Sequence, residues 1–286
     1  MTNLKAIMLL FLGLVLVSCS SDDDSGSSAP VNGDYFPSTI GDLWIYNVEN
    51  RNADDPAFDF DATDLLTVNS ATATDYTVEV NSGTTPAAGS MNSFLADGTL
   101  SKTDDMLLFN GELELPEAFS GFSNETILLT DAALYDLNAE IGELSNTPGT
   151  INQDFDLGGT LIPLVINYAF TTSKLTNATN TLTVDGTNYS NVMKGNLSLE
   201  VTVTATVDLL GTGTPTTVSV LSSQNVLSID YYFAKDIGLI KADAVQGYAV
   251  DDTFIALLEL IPGFELTIPT SLSVTNVQDI DSFVVN

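Results

Sequence analysis

Residues 197–209 read LSLEVTVTATVDL. Leu197, Leu199, Val201, Val203, Ala205, Val207 and Leu209 fall on one side of a two-residue period; Ser198, Glu200, Thr202, Thr204, Thr206 and Asp208 fall on the other. Successive side chains of a pleated strand point to opposite faces, so this alternation predicts a half-buried antiparallel strand with one dry face. GTGTP (211–215) then turns the chain, and TVSVLSSQNVLSIDYYF (217–233) runs back. The two are expected to form the central hairpin of the sheet, continuing through YYFAKDIGLIK (231–241). Burying one Val or Leu side chain contributes about 1.5–3 kcal/mol, so the apolar row from Leu197 to Leu209 is expected to line a core and not an open groove.

The same period runs through most of the chain. Enrichment in Thr, Val, Leu and Tyr favours strands. Two Asp-Gly pairs, in FLADGTLSK (94–102) and LTVDGTNYSNV (182–192), lie between apolar runs and read as tight hairpin turns. Helix signals are sparse. DDTFIALLELIPGF (251–264) is the candidate, with Asp251 or Asp252 capping it and Pro262-Gly263 stopping it. No long internal repeat is visible and no linker breaks the chain after residue 33. The expected fold class is all-β, mainly antiparallel: a curved sheet, half-barrel or barrel-like, with at most one or two short helices. A single β domain is expected over residues 34–286.

Composition narrows the chemistry. The chain has 38 acidic residues against seven basic ones and a formal charge of −31. Arg51, Lys102, Lys174, Lys194, Lys235 and Lys241 are scattered singly, whereas phosphate backbones are met by clustered bases, so no nucleic acid partner is expected. Such acidity favours cationic partners or divalent ions, and equally suits a soluble protein in salty surroundings. With no histidine, a Ser-His-Asp triad, a Cys-His pair and an imidazole zinc site are all unavailable. Neither a G-x-S-x-G elbow nor a P-loop is present, and GTGTPT (211–216) has Thr216 where a dinucleotide loop has its third glycine.

The amino terminus has the three parts of a secretory signal. Lys5 supplies the positive charge, Ala6 to Val17 the apolar stretch, and Ser18 the small-residue junction before Cys19. Twelve apolar residues are too few to span a bilayer core, which takes about 20 in a helix. Cys19 is the only cysteine, so no internal disulfide is open to it. Leu16-Val17-Ser18-Cys19 resembles the lipobox of bacterial lipoproteins. That resemblance implies removal of residues 1–18, acylation of Cys19 and anchoring in a membrane. Several acyl chains hold a protein stably where one is marginal. The following stretch, Ser20, Ser21, Asp22, Asp23 and Asp24, resembles the acidic export signal of Bacteroidota-type surface lipoproteins, which implies an outer-membrane anchor and display at the cell surface. Residues 19–33 otherwise read as a disordered acidic tether.

Two further stretches are similar to Bacteroidota lipoproteins of unknown function: DYFPSTIGDLWIYNVEN (34–50), and VDGTNYSNVMKGNLSLEV (184–201) with IDYYFAKDIGLIKAD (229–243). The resemblance implies a curved antiparallel sheet, in the manner of a half-barrel lipoprotein carrier, and no enzymatic activity. Asp236 stands where that family has glycine, and aspartate tolerates the left-handed backbone such a turn needs. Within the first stretch, Leu43, Ile45 and Asn47 are expected to point to one face and Trp44, Tyr46 and Val48 to the other, with Trp44 read as core or sheet-edge cover and not as a ligand platform. Tyr231, Tyr232 and Phe233 either line an apolar groove or close the sheet over its own interior.

Candidate chemistry is thin. DFDATD (59–64) spaces Asp59, Asp61 and Asp64 as calcium ligands on a loop are spaced. An EF-hand loop counted from Asp59 needs Gly at 64 and Glu at 70, where the chain has Asp64 and Ser70. Calcium held by an irregular loop is therefore the one cofactor left open. The same calcium reading extends to Asp154 and Asp156 in QDFDLGG (153–159), where the phenylalanine pattern looks more like a strand with its aromatic side facing inward. Without histidine an enzyme here would work through paired carboxylates, as glycoside hydrolases do. The sequence singles out no pair and no catalytic residue. The expectation is a non-catalytic surface lipoprotein, a binding or scaffold module for a glycan, a protein or an apolar ligand. The alternatives are a carboxylate-dependent glycoside hydrolase and a carrier of an apolar ligand in a half-barrel groove.

The anchor is directly testable. Cys19→Ser is expected to abolish fatty-acid labelling and detergent partitioning, and unchanged labelling would refute a lipid anchor. Replacing Asp22, Asp23 and Asp24 with Ala is expected to keep the anchor but hide the protein from protease added to intact cells.

Overall fold

The computed structural model describes residues 33–115, 125–157, 160–207, 214–259 and 269–286. The elements, in chain order, are β1 (Leu43–Asn52), β2 (Phe60–Ala71), β3 (Asp75–Val80), α1 (Ser90–Ala96), β4 (Gly98–Lys102), β5 (Met106–Glu114), β6 (Thr126–Asp136), β7 (Gly142–Leu157), β8 (Thr160–Lys174), β9 (Asn180–Val184), β10 (Thr187–Val207), β11 (Thr216–Ala234), β12 (Gly238–Ala249), α2 (Asp252–Leu258) and β13 (Ser271–Val284). All the strands belong to one antiparallel sheet, nearly closed into a barrel, in the order β6-β5-β4-β3-β2-β1-β13-β12-β11-β10-β8-β7, with β9 paired to β10 off that path. The fold is all-β, as the alternation predicts.

Leu197, Leu199, Val201, Val203, Ala205 and Val207 on β10 are all buried, facing the interior; Asp208 and Leu209 lie outside the described residues. Leu197 pairs with Ile229, and Leu199 with Leu227, so β11 matches its apolar face to that of β10. This hairpin is not central, however. The middle of the sheet is the pair β1–β13, where Leu43 faces Val284 and Asn52 faces Val274. Two meanders, β1 to β6 and β7 to β13, are stitched together by their outermost strands in the sequence. Pairing across some 230 residues leaves no local signal for a periodicity argument to find.

The two Asp-Gly pairs part company. Asp185 and Gly186 have φ of 46° and 80°, and turn β9 into β10. Asp97 and Gly98 do not form a hairpin turn: Asp97 caps the carboxyl end of α1 and Gly98 opens β4. Met91, Phe94 and Leu95 recur at helical spacing over barely two turns, too short a window for the period to declare itself. The second helix, α2, starts where expected: the Asp251 carboxylate accepts the Thr253 N–H at 2.9 Å, and Phe254 and Leu258 are buried. Pro262 and Gly263 lie outside the described residues.

One end of the barrel is plugged by aromatics. Tyr35 and Phe36 are fully buried, and the Phe36 ring lies 5.2 Å from Trp44, 5.9 Å from Tyr76 and 5.7 Å from Phe233 between centroids. Trp44 is core: its Nε1 donates to the Ile237 carbonyl at 2.6 Å, across the turn where Asp236 has φ 60° and Gly238 φ 112°. The aspartate therefore serves in the left-handed position expected of it. Tyr231 and Phe233 are buried with Trp44, while Tyr232 faces outward beneath Lys194, 5.3 Å from its Nζ to the ring centroid.

The interior of the barrel is filled by α1. Met91, Phe94 and Leu95 are buried, and Phe94 stacks on Phe109 at 4.2 Å. The start of the helix is gripped by polar side chains reaching inward from β2 and β13. Asp64 accepts from the backbone N–H of Ala88 (3.0 Å) and Gly89 (2.8 Å), and from Nδ2 of Asn81 (3.2 Å) and Asn92 (3.1 Å). Asn276 accepts the Ser90 N–H and donates to the Ala88 carbonyl; Gln278 accepts the Met91 N–H at 2.8 Å. These groups satisfy backbone donors that a helix start leaves without intrahelical partners.

The ends of the sheet approach without forming a ladder. The Ala133 N–H donates to Ser145 Oγ at 2.8 Å, and Tyr231 donates across the interior to the Leu134 carbonyl at 2.7 Å. The buried Lys174 Nζ donates to the carbonyls of Asp136, Leu137 and Ala139, tying β8 to the β6–β7 connection. Among the described residues, no helix is long and apolar enough to cross a membrane.

Asp64→Ala is expected to lower stability by about 3–5 kcal/mol, because it strands buried donors. Asp61→Ala, which removes an exposed ion pair, is expected to cost under about 1 kcal/mol. Denaturant melts of the two variants, three residues apart in one acidic stretch, check the contrast.

Candidate functional site

An open concavity of the described surface begins with two glycines. Gly98 on β4 and Gly111 on β5 face each other across the ladder. A Cβ at Gly98 would meet the Asn110 carbonyl and the Phe109 ring at 2.6 Å; one at Gly111 would meet the Asp97 carbonyl at 2.7 Å. Only glycine lets β4 and β5 approach this closely over the Phe109 ring. A register irregularity follows between Phe109 and Gly111, where Asn110 Oδ1 accepts the N–H of Asp131, itself at φ 51°. Bulged, tightly drawn strands leave a hollow beside them.

That hollow is a cleft of about 600 Å³, with Asp97, Thr99, Asn110, Glu112, Glu114 and Leu128 around its wall. A smaller cavity of about 180 Å³ adjoins it, sharing Asp97 and Glu114 and walled by Phe94, Leu113, Leu227 and Ile229 with Ser90 and Gln246. Gln246 Nε2 donates to Ser90 Oγ at 3.1 Å, and Thr126 donates to Glu112 at 3.0 Å. The Asp97 carboxyl is held above the ordinary aspartate range, first by burial and then by the nearby charge of Glu114. Carboxylates accept hydrogen bonds and attract cations, so the cleft is built to receive hydroxyl donors or positive charge.

Strand directions place this cleft. Gly33, Asp34, Lys102, Thr103, Asp104 and Tyr135 surround a cavity of about 390 Å³ at one end of the barrel, where the chain arrives from its amino terminus. β4 ends there at Lys102 and β5 begins there at Met106, whereas Gly98 and Glu114 mark the opposite ends of the same two strands. The carboxylate cleft thus lies at the end remote from residue 33.

The acids singled out in the sequence do not form a site. Asp59, Asp61 and Asp64 were spaced as if on a loop, but Phe60–Ala71 is strand β2, whose alternation sends Asp61 and Asp64 to opposite faces. Asp59 accepts the Asn52 N–H at 2.7 Å, Asp61 pairs with Arg51 at 2.6 Å, and Asp64 holds α1. Among the described residues, no three His, Cys, Asp or Glu side chains are grouped to hold a metal ion. Asp154 lies on β7, as expected of a strand residue. Cys19, Ser20, Ser21, Asp22, Asp23 and Asp24 lie outside the described residues. The acids that do converge, Asp97, Glu112 and Glu114, had one faint signal: in NGELE (110–114) the two glutamates share a face at two-residue spacing. Asp97 joins them only through the β4–β5 pairing.

The basic residues are largely consumed within the molecule. Arg51 pairs with Glu49 and Asp61, Lys102 with Asp34, Lys194 with Asp230, and Lys241 with Asp243 and Asp279. Lys174 is committed to its three carbonyls. No known protein family, curated protein or solved structure matches the chain.

Because the fold raises the pKa of Asp97, its protonated form stabilises the protein at low pH, and that contribution is lost as pH rises through the folded value. Asp97→Asn is accordingly expected to melt at a higher temperature than wild type near pH 7. The difference is expected to vanish below about pH 3.5, where the carboxyl is protonated in both states. A pH series of thermal melts checks it.

Proposed function

We propose that the protein is a lipid-anchored binding module displayed at the cell surface, whose ligand is met in the carboxylate cleft at the barrel end remote from the anchor. One observation carries this reading: the barrel interior is already occupied. α1 fills its middle and Tyr35 with Phe36 fills the end next to residue 33, so the dry faces of β10 and β11 serve as core. Ligand recognition therefore falls to the rim. A tether at Cys19 would join the barrel beside Gly33, turning Asp97, Glu112 and Glu114 away from the membrane.

The lining argues for the class of ligand. Three carboxylates with Thr99 and Asn110 suit a polyhydroxylated glycan or a cationic group, and they repel anions. The engagement of the basic residues with internal partners supports the same exclusion for nucleic acid. An apolar-ligand carrier fits less well, because the cavity beside α1 is about 180 Å³, whereas sites for drug-sized ligands run to roughly 300–1,000 Å³.

A specific observation also favours a second reading, a carboxylate-dependent glycoside hydrolase. Such enzymes keep one carboxyl protonated as acid beside a second that stays charged, and Asp97 has its pKa raised by burial and by Glu114.

A glycan screen on the purified protein, with and without calcium, separates the two readings. The expected result is binding without reducing-sugar release, weakened about tenfold or more by Glu114→Gln, the loss of one charge-assisted contact. Sugar release that is lost in Asp97→Asn would establish the hydrolase. Binding indifferent to Asp97→Asn, Glu112→Gln and Glu114→Gln together would remove the cleft from the account.

A further inference from the structure

β7 and β6 are the two edges of the sheet, and β7 is the longer: it pairs with β8 along its whole length and, among the described residues, with no strand on its other side. β6 approaches it near Ser145, whose Oγ accepts the Ala133 N–H, and among the described residues the two edges carry no ladder. The prolines show which backbone groups are left over. Pro148 faces Ala169, and Pro163 faces Asp154. In an antiparallel pair, residues alternate between exchanging two hydrogen bonds and exchanging none, and proline is accommodated where none is required. Residues 148 and 154 are an even number apart, so both prolines mark the same, non-bonded set. The N–H and C=O groups of Asn146, Thr150, Asn152 and Asp154 therefore point away from β8, along the outer edge.

We propose that this edge takes up an extended, basic segment of a partner protein as an added strand. Edge backbone supplies hydrogen bonds in such augmentation and side chains supply selectivity. Here the charged side chains are acidic: among its described side chains β7 carries Glu143 and Asp154, and no Lys or Arg. A second copy of this chain is disfavoured as occupant, since it brings another net charge of −31 and the same acids on its own β7. Pro148 interrupts the lower part of the edge and Asp154 guards the upper part, two devices that blunt indiscriminate pairing. A basic strand docking from Thr150 upward avoids the first and is attracted by the second. This surface is separate from the carboxylate cleft and does not depend on it.

Hydrogen exchange on the purified full chain tests the proposal, with a synthetic peptide of about ten residues alternating Val and Lys as the probe. The expected result is a slowing of about tenfold or more at the amides of Thr150, Asn152 and Asp154. The same peptide N-methylated at alternate residues keeps its charge but cannot complete a ladder, and is expected to protect nothing. Equal protection by both peptides, protection elsewhere than β7, or sedimentation showing the edge occupied by a second copy would overturn the proposal. Asn152→Pro removes an edge N–H that β8 does not use, and is expected to abolish the protection. Should circular dichroism show that variant unfolded, Asp154→Lys decides: Val-Lys peptide affinity is expected to fall about tenfold, and unchanged affinity would refute the charge selectivity.

Discussion

The carboxylate of Asp64 lies inside an apolar barrel, and a polar group in that position is tolerated only if its hydrogen bonds are made. Its four donors come from Asn81, Ala88, Gly89 and Asn92, which lead into or belong to α1. The interaction therefore works in both directions. The helix start satisfies the carboxylate, and the carboxylate with Asn276 and Gln278 fixes where the helix sits. Because Asn276 and Gln278 stand on β13 and Asp64 on β2, the same contacts bridge the strands that flank β1. A sheet of this width would otherwise enclose more space than its own side chains fill. Anchoring a helix inside it turns a curved sheet into a packed core.

What the helix fills, it also denies to ligands. Phe94 meets Phe109 at the base of α1, and the chain leaves the helix at Asp97 directly into the Gly98–Gly111 contact. The cleft is thus a consequence of the packing beneath it: the Phe109 ring, pressed against α1, occupies the place where side chains on residues 98 and 111 would stand. The resulting hollow gathers Asp97, Glu112 and Glu114, and burial, followed by the nearby charge of Glu114, keeps the Asp97 carboxyl less acidic than usual. At the opposite end, the Tyr35 and Phe36 rings close the barrel beside the point where the chain arrives. The two ends therefore differ in kind, one sealed by aromatics and one rimmed by carboxylates.

The edge strands obey a related constraint. An antiparallel sheet of this length closes fully only if its last strands share a register, and β6 and β7 are joined by one short connection whose carbonyls are already claimed by Lys174. That cage fixes the approach at one point and leaves the strands free to splay beyond it. Pro148 and the acids of β7 then meet the general liability of an open edge.

The sequence by itself determined the fold class, the dry face of β10, the β9–β10 turn at Asp185-Gly186, the capped start of α2 and the face that Trp44 shares with Tyr46 and Val48. Each rests on spacing within a few residues, where the two-residue period or a capping side chain acts locally. Tertiary structure alone decided that β13 pairs with β1, that Asp64 turns inward to hold a helix instead of ligating calcium, and that Asp97 meets Glu114. Those outcomes depend on which strands lie side by side. Strand partners far apart in the chain are selected by the total burial and hydrogen bonding of the closed sheet, a global sum that no short stretch of residues records.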